Sequence, residues 1–301
     1  MIELETSPVL LAFAFTVGAC VGSFLNVCVG RWPRDESVVR PRSRCPKCGN
    51  AIRARDNIPI FGWLLLRGRC RDCSEPISPQ YPIIELVVAL GWLAAVAMFG
   101  AGFTALRVAL FGTVMLGIAL SDAEHYLIPD QFTVVPFFWI IATSLVAAWI
   151  GDTSPFAAPW DAIVGACAGA GAIAIVGWLG EYFLRKEAMG FGDVTLMALV
   201  GAALGPGRSL LTIFIGAFIG AASFLLVVYP VMRIRAARHP RVASATLDVG
   251  DATDLRRETD GMYEDVELPH VPFGVFLAPA ALVTLLWGER LIEWYLRRMT
   301  I

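Results

Sequence analysis

Apolar residues run along this chain in unbroken blocks rather than in alternation. Eight blocks stand out, at about 8–30, 82–100, 103–121, 132–150, 161–184, 194–206, 209–232 and 271–288. A helix crosses the hydrocarbon of a bilayer in about 20 residues, so the pattern predicts about eight transmembrane helices. The sixth block is short for a full crossing. A membrane barrel would need strands of alternating polarity, which this pattern does not contain. The expected fold is therefore an all-α polytopic membrane protein. Residues 1–30 form its first span, 82–232 a membrane core, and 271–301 the last span with its tail.

Two polar stretches interrupt the blocks. Residues 31–81 make a compact soluble insert between the first two spans. Residues 233–270 begin basic ("RIRAARHPR") and turn acidic ("DVGDATDLRRETDGMYEDVE"). With few large apolar side chains, the second stretch reads as a solvated, flexible loop. No internal repeat is evident.

Charge supplies the orientation. If the N-terminus lies outside, nineteen Lys and Arg residues fall in inside loops and five outside: Arg107, Arg208, Arg290, Arg297 and Arg298. That bias puts the 31–81 insert in the cytoplasm. The first block is not a removable signal peptide, since Glu3 and Glu5 precede it and its arginines follow it. A net charge of -2 on 301 residues, 57% of them hydrophobic, gives no electrostatic reason to expect nucleic acid as a partner. The bilayer itself is the partner that composition demands.

Seven cysteines divide into two groups. Cys20, Cys28 and Cys167 lie in apolar spans, where an inert buried thiol is the usual case. The other four read "CPKCGN" (Cys45, Cys48) and "GRCRDCSE" (Cys70, Cys73). Two C-x-x-C knuckles at this separation match a four-thiolate zinc site. A pair of disulfides is the alternative, and a cytoplasmic setting opposes it. Four sulfurs leave no open coordination position, so the metal would hold the insert together rather than catalyse.

The third span ends "GIALSDAEHYLIPD", and the sixth opens after "MGFGD". By the topology above, Asp122 and Asp193 arrive at the same membrane face, at similar depth. Two such carboxylates could serve as an aspartyl dyad, one taking a proton from water while the other donates to a scissile carbonyl. Gly190 and Gly192 would let the backbone approach a neighbouring helix or an extended peptide. Plainer readings stand beside this one. Asp193 could be an N-cap and Asp122 an interfacial residue. Asp130 reads as an N-cap for the fourth span, and Glu124 and His125 as solvated interface residues. Glu85, just inside the second span, could pair with an arginine of the insert or line the site.

Taken together these segments resemble the type IV prepilin leader peptidases, membrane aspartic proteases of the GxGD class. The resemblance runs through "GSFLNVCVGRWP" (22–33), the cysteine-bearing stretch 45–85, "SDAEHYLIPD" (121–130), "MGFGDVTL" (189–196) and "VPFGVFLAPAAL" (271–282). It implies that Asp122 and Asp193 are catalytic and that Cys45, Cys48, Cys70 and Cys73 bind zinc. It also implies cleavage of a prepilin or pseudopilin leader at the cytoplasmic face of a bacterial inner membrane. N-methylation of the new terminus with S-adenosylmethionine would follow. Within the insert, "RDNIPIFGWLLLRG" (55–68) is the stretch expected to position that methyl transfer, with Asp56, Asn57 and Gly68 as cofactor-binding candidates. This chain departs from the family in having Gly62 before Trp63-Leu64 where Ser is usual, and Thr195 where Lys is usual. The acidic stretch 248–267 looks like an insertion. Gly62 leaves open a peptidase that does not methylate. A proton-coupled transporter would also use membrane carboxylates, but it gives a cysteine-rich insert no role.

Overall fold

A computed structural model describes residues 7–152, 154–185, 189–230 and 272–299. The 233–270 loop lies outside the described residues. Helices carry nearly everything described: α1 (Pro8–Arg31), the short α2 (Phe61–Leu65), α3 (Gln80–Phe99), α4 (Phe103–His125), α5 (Asp130–Ile150), α6 (Pro159–Leu184), α7 (Phe191–Leu204), α8 (Pro206–Ser223) and α9 (Gly274–Met299). Seven of these elements are long and apolar enough to cross a membrane. The eighth apolar helix, α7, has 14 residues, or about 21 Å of rise against a hydrocarbon core of roughly 30 Å.

The ends of the helices follow local chemistry. Ser7 caps α1 through the N–H of Leu10, with Pro8 at the first helical position. Gly100 (φ 73°), Gly151 (φ 75°) and Gly205 (φ 80°) end α3, α5 and α7 in the left-handed region that suits glycine. Because successive helices alternate in direction, the insert, the 126–129 turn and the starts of α7 and α9 share one end of the bundle.

Close approach of backbones sets the packing. A Cβ on Gly18 would sit 2.8 Å from Cα of Ala89, and one on Gly22 would sit 2.8 Å from Cα of Glu85. This G-x-x-x-G pair brings α1 onto α3. Gly165 of α6 and Gly201 of α7 meet still more tightly, each Cβ position falling 2.2 and 2.0 Å from the other's carbonyl oxygen. Helix α7 sits at the centre, with Leu196, Met197, Leu199, Val200 and Ala203 fully buried. Being apolar on every side, it has the character of a core helix, which is why a helix too short to cross alone is stable here.

The last helix is longer than its apolar block. It continues to Met299 through "ERLIEWYLRRM", residues of good helix propensity that include an i,i+4 pair between Glu293 and Arg297. Hydropathy marks where the apolar block ends, not where the helix does. Of the span cysteines, Cys28 is buried while Cys20 and Cys167 are exposed on the helix surface, which corrects the expectation for those two.

The insert is two knuckles that repeat one hydrogen-bond pattern. The N–H of Gly49 returns to the carbonyl of Cys45, and that of Ser74 to Cys70. The N–H groups of Cys45 and Cys70 bond the carbonyls of Asn50 and Glu75. Gly49 (φ 72°) and Ser74 (φ 59°) hold the left-handed corners. Trp63 donates its indole N–H to the carbonyl of Ile77, joining α2 to the second knuckle.

Candidate active site

Asp193 is the third residue of α7, and Gly190 is the N-cap. The N–H of Asp193 bonds the carbonyl of Gly190 at 3.1 Å, and the N–H of Gly190 faces the Asp193 carboxylate. Glycine has no side chain to supply one half of a capping box, but the acidic side chain at the third helical position takes up the other half, facing back toward the N-cap amide. It explains why the carboxylate stands three residues after a glycine. The positive end of the helix dipole favours a carboxylate here, so Asp193 is not itself the N-cap. The two glycines differ in what they do. A Cβ on Gly192 would lie 3.0 Å from Cβ of Ile128, whereas one on Gly190 meets nothing nearer than 4.0 Å. Gly192 admits the neighbouring turn; the space over Gly190 is open.

Asp122 lies in the last turn of α4 and is buried, 6% exposed. The helix ends at Tyr126 in the left-handed region, its N–H bonding the carbonyl of Asp122 at 3.0 Å. A carboxylate at the negative end of a dipole does not help its own helix. Its support comes from α9, where the N–H of Val275 donates to Asp122 Oδ2 at 3.2 Å. Ser121 holds the 126–129 turn by donating to the carbonyl of Leu127 at 2.8 Å. The turn's buried Ile128 lies 3.0 Å from the Cβ positions of both Gly192 and Gly274. Three helix ends therefore converge on Ile128: the C-terminus of α4 and the N-termini of α7 and α9. Asp122 and Asp193 come close enough to interact electrostatically.

Ile128, Gly274 and Val275 were not singled out by sequence reasoning. "VPFG" was visible at the head of the last block, but nothing in the sequence ties it to an aspartate 153 positions earlier. Asp130 is an exposed first-turn residue of α5 with no capping hydrogen bond, the N-cap position being held by Pro129. His125 is only 23% exposed at its side chain, and its Nε2 is buried without a hydrogen-bond partner. It is thus not the solvated residue expected. Glu124 does face water and accepts a hydrogen bond from Gln80.

The four knuckle cysteines meet, with their sulfurs all within 4.8 Å of one another. Cys45 Sγ and Cys73 Sγ are 3.7 Å apart, where a tetrahedron with metal–sulfur bonds of roughly 2.3 Å has an edge of about 3.8 Å. Backbone N–H groups of Cys48 and Lys47 pull the Cys45 thiol down to about 7. The Glu75 amide acts in the same sense on Cys73, but burial and the three neighbouring sulfurs carry that thiol up to about 12. Four sulfurs so crowded ionise together only around a cation, so this quartet could hold a metal ion.

Between the insert and the near ends of α1 and α3 lies a cavity of about 880 Å³. Asp56 and Asn57 line it with Arg31, Arg34, Glu36 and Trp63. Asp56 is tied in both oxygens to Arg71, at 2.8 and 2.6 Å. The Arg71 guanidinium thereby holds its carboxyl below the usual carboxylate range. Gly68 (φ 67°) is not part of the wall; its Cβ position would lie 2.8 Å from the Trp63 ring. Gly62 is buried, with a Cβ position 2.2 Å from the carbonyl oxygen of Asp56, so a serine there would displace Asp56. Among the described residues, Glu85 pairs with no arginine. Its Oε2 accepts the N–H of Ile60 at 2.6 Å, fixing a β-branched residue at φ 62°. An isoleucine held in that region is strained, and Glu85 is the group that latches the insert to the membrane helices.

Two family descriptions match the chain in succession: "Bacterial Peptidase A24 N-terminal domain" over residues 16–99 and "Type IV leader peptidase family" over residues 109–225. A protein of Aeromonas hydrophila named "Prepilin leader peptidase/N-methyltransferase" is 33% identical over 95% of this chain and 93% of its own length. One of the same name from Stutzerimonas stutzeri is 34% identical over 98% of this chain and 96% of its own length. A third, from Myxococcus xanthus, is 36% identical over 65% of this chain but only 57% of its own length. No solved structure matches.

Proposed function

The chain belongs to the type IV leader peptidase family, and from that premise we propose that Asp122 and Asp193 are its catalytic pair. The protein is a prepilin leader peptidase with N-methyltransferase activity. The observation that carries the assignment is the convergence on Ile128 of the helix ends that bear the two carboxylates, at the end of the bundle that also bears the insert. One carboxylate takes a proton from water as the oxygen attacks the scissile carbonyl carbon. The other gives its proton to the carbonyl oxygen, forming a neutral tetrahedral intermediate. Collapse breaks the C–N bond, and the leaving amine takes up a proton. The open space over Gly190 is where an extended leader segment could lie against the backbone. Lys and Arg distribution supports placing the insert and this site on the cytoplasmic side of a bacterial inner membrane.

The cysteine quartet is read as a structural zinc site, since thiolate-only ligation with four protein donors leaves no position for substrate. It would be held by Cys45, Cys48, Cys70 and Cys73. The 880 Å³ cavity suits S-adenosylmethionine, whose part is to supply an electrophilic methyl group. Arg31 and Arg34 could meet its carboxylate, Glu36 its amino group, and Trp63 its purine ring. Asp56, bound by Arg71, shapes the wall beside Asn57. Gly68 keeps the chain clear of Trp63. The chain's own task in this step is positioning a freed, unprotonated amine.

The test is incubation of the purified protein with a prepilin and S-adenosylmethionine, read by mass spectrometry. Leader loss followed by addition of one methyl group is expected. An intact substrate with every pilin and pseudopilin tried would overturn the reading. Loss of the leader without methylation would leave the peptidase assignment standing and remove the second activity.

A further inference from the structure

Among the described residues, no neighbouring side chain of the chain segment leading into α9 caps that helix. Phe273 precedes it and accepts the N–H groups of Phe276 and Leu277 at 3.0 and 3.1 Å, but it has no side-chain oxygen for the free amides of the first turn. Helix starts normally find that oxygen in Ser, Thr, Asp or Asn at the position Phe273 holds. Here Asp122, from α4, takes that place: its Oδ2 accepts the N–H of Val275, the second helical residue, and the N–H of Gly274 also faces the carboxylate. Gly274 makes this possible. A Cβ there would stand 2.8 Å from Asp122 Oδ2, 3.2 Å from its Cγ and 3.0 Å from Cδ1 of Ile128.

We propose that Gly274 and the Val275 N–H are positioning residues for peptide cleavage, capping α9 through Asp122 so that its carboxylate has one fixed orientation. The inference rests on the reading of Asp122 as catalytic. Oδ2 is committed to the amide, and Oδ1 is the oxygen that meets water or the scissile carbonyl. The amide also draws on the positive end of a 26-residue helix. Two consequences are specific. At position 275 the backbone N–H matters and the side chain does not. At position 274 any side chain at all disturbs the carboxylate.

The experiment compares Val275→Pro with Val275→Ala in the full-length protein, following cleavage of a prepilin. Proline removes the donor at 275, leaving only the Gly274 N–H on the carboxylate, and is tolerated in a first helical turn; the preceding Gly274 lacks the Cβ that would clash with its ring. Loss of a hydrogen bond to a charged group predicts a kcat about 10- to 100-fold below that of Val275→Ala. KM and methylation of already-cut pilin should match between the two variants, and the thermal midpoint should fall only by what the loss of one helix cap costs. Gly274→Ala retains the donor and should also lower kcat at unchanged KM. It decides the matter if the proline variant proves unstable. Equal kcat for the proline and alanine variants, or wild-type kcat in Gly274→Ala, would overturn the proposal. If Asp122→Asn itself still cuts, the dyad reading has failed; if Asp122→Asn is inactive while both α9 variants cut normally, only the clamp has failed.

Discussion

Replacing Gly201 by Ala should disable cleavage from a distance. The added Cβ would stand 2.0 Å from the carbonyl oxygen of Gly165 and 2.5 Å from its carbon. A carbon–oxygen contact needs roughly 3.3 Å. Both atoms belong to helical backbone, so no rotamer change relieves the clash, and α6 and α7 must part by about 1 Å or more. Asp193 lies eight residues earlier on α7, about 12 Å along a rigid helix at 1.5 Å per residue, and it moves with that helix. A displacement of about 1 Å in a catalytic group costs on the order of 100-fold, or about 2.7 kcal/mol of transition-state stabilisation. Overpacking adds a loss of about 1–3 kcal/mol in stability. The assay is steady-state cleavage of a prepilin in proteoliposomes, with thermal unfolding measured in parallel. Gly171→Ala is the control, the same substitution on α6 at a position with nothing within 4 Å. If Gly201→Ala cuts as fast as Gly171→Ala, α6–α7 contact does not position Asp193 and the reasoning is wrong.

Three further outcomes are expected. Replacing Cys45 and Cys48 by Ser should release a stoichiometric metal and speed proteolysis of residues 31–80; a variant that keeps its metal would show the ligands lie elsewhere. Asp56→Ala frees Arg71 and one wall of the 880 Å³ cavity, so it should cut normally but methylate poorly. Equal loss of both activities would contradict separate sites. Glu85→Ala removes the acceptor for Ile60 N–H and should loosen the insert, seen as faster amide exchange in residues 58–65. Unchanged exchange there would refute the latch.

Much of this architecture was legible because lipid imposes a simple rule: apolar blocks must be helices. Even the short block at 194–206 became a real helix, three residues earlier at its start because the Gly190–Asp193 cap lies upstream of the first apolar residue. What hydropathy could not reveal was helix beyond the apolar block, as in the run from Glu289 to Met299. The knuckles were legible because metal-ligand spacing is local. Asp122 and Asp193 were legible as unusual charges at one face. Their supports were not, because the contacts of Ile128 and of Gly274 cross between helices far apart in the chain. Of the two readings open for Glu85, the arginine partner gave way to a backbone amide, while the residue does line the cavity beneath the insert. Asp130 and Asp193 could both be read as N-caps from sequence, yet Pro129 and Gly190 hold those positions.

The most direct test is the cleavage rate of Asp122→Asn and Asp193→Asn, each purified, folded and supplied with a full-length prepilin. Both variants should leave the leader attached over many wild-type turnover times, because one acid and one base are each indispensable. Both should still methylate pilin that has already been cut. Near wild-type leader removal by either variant would contradict the account at its centre.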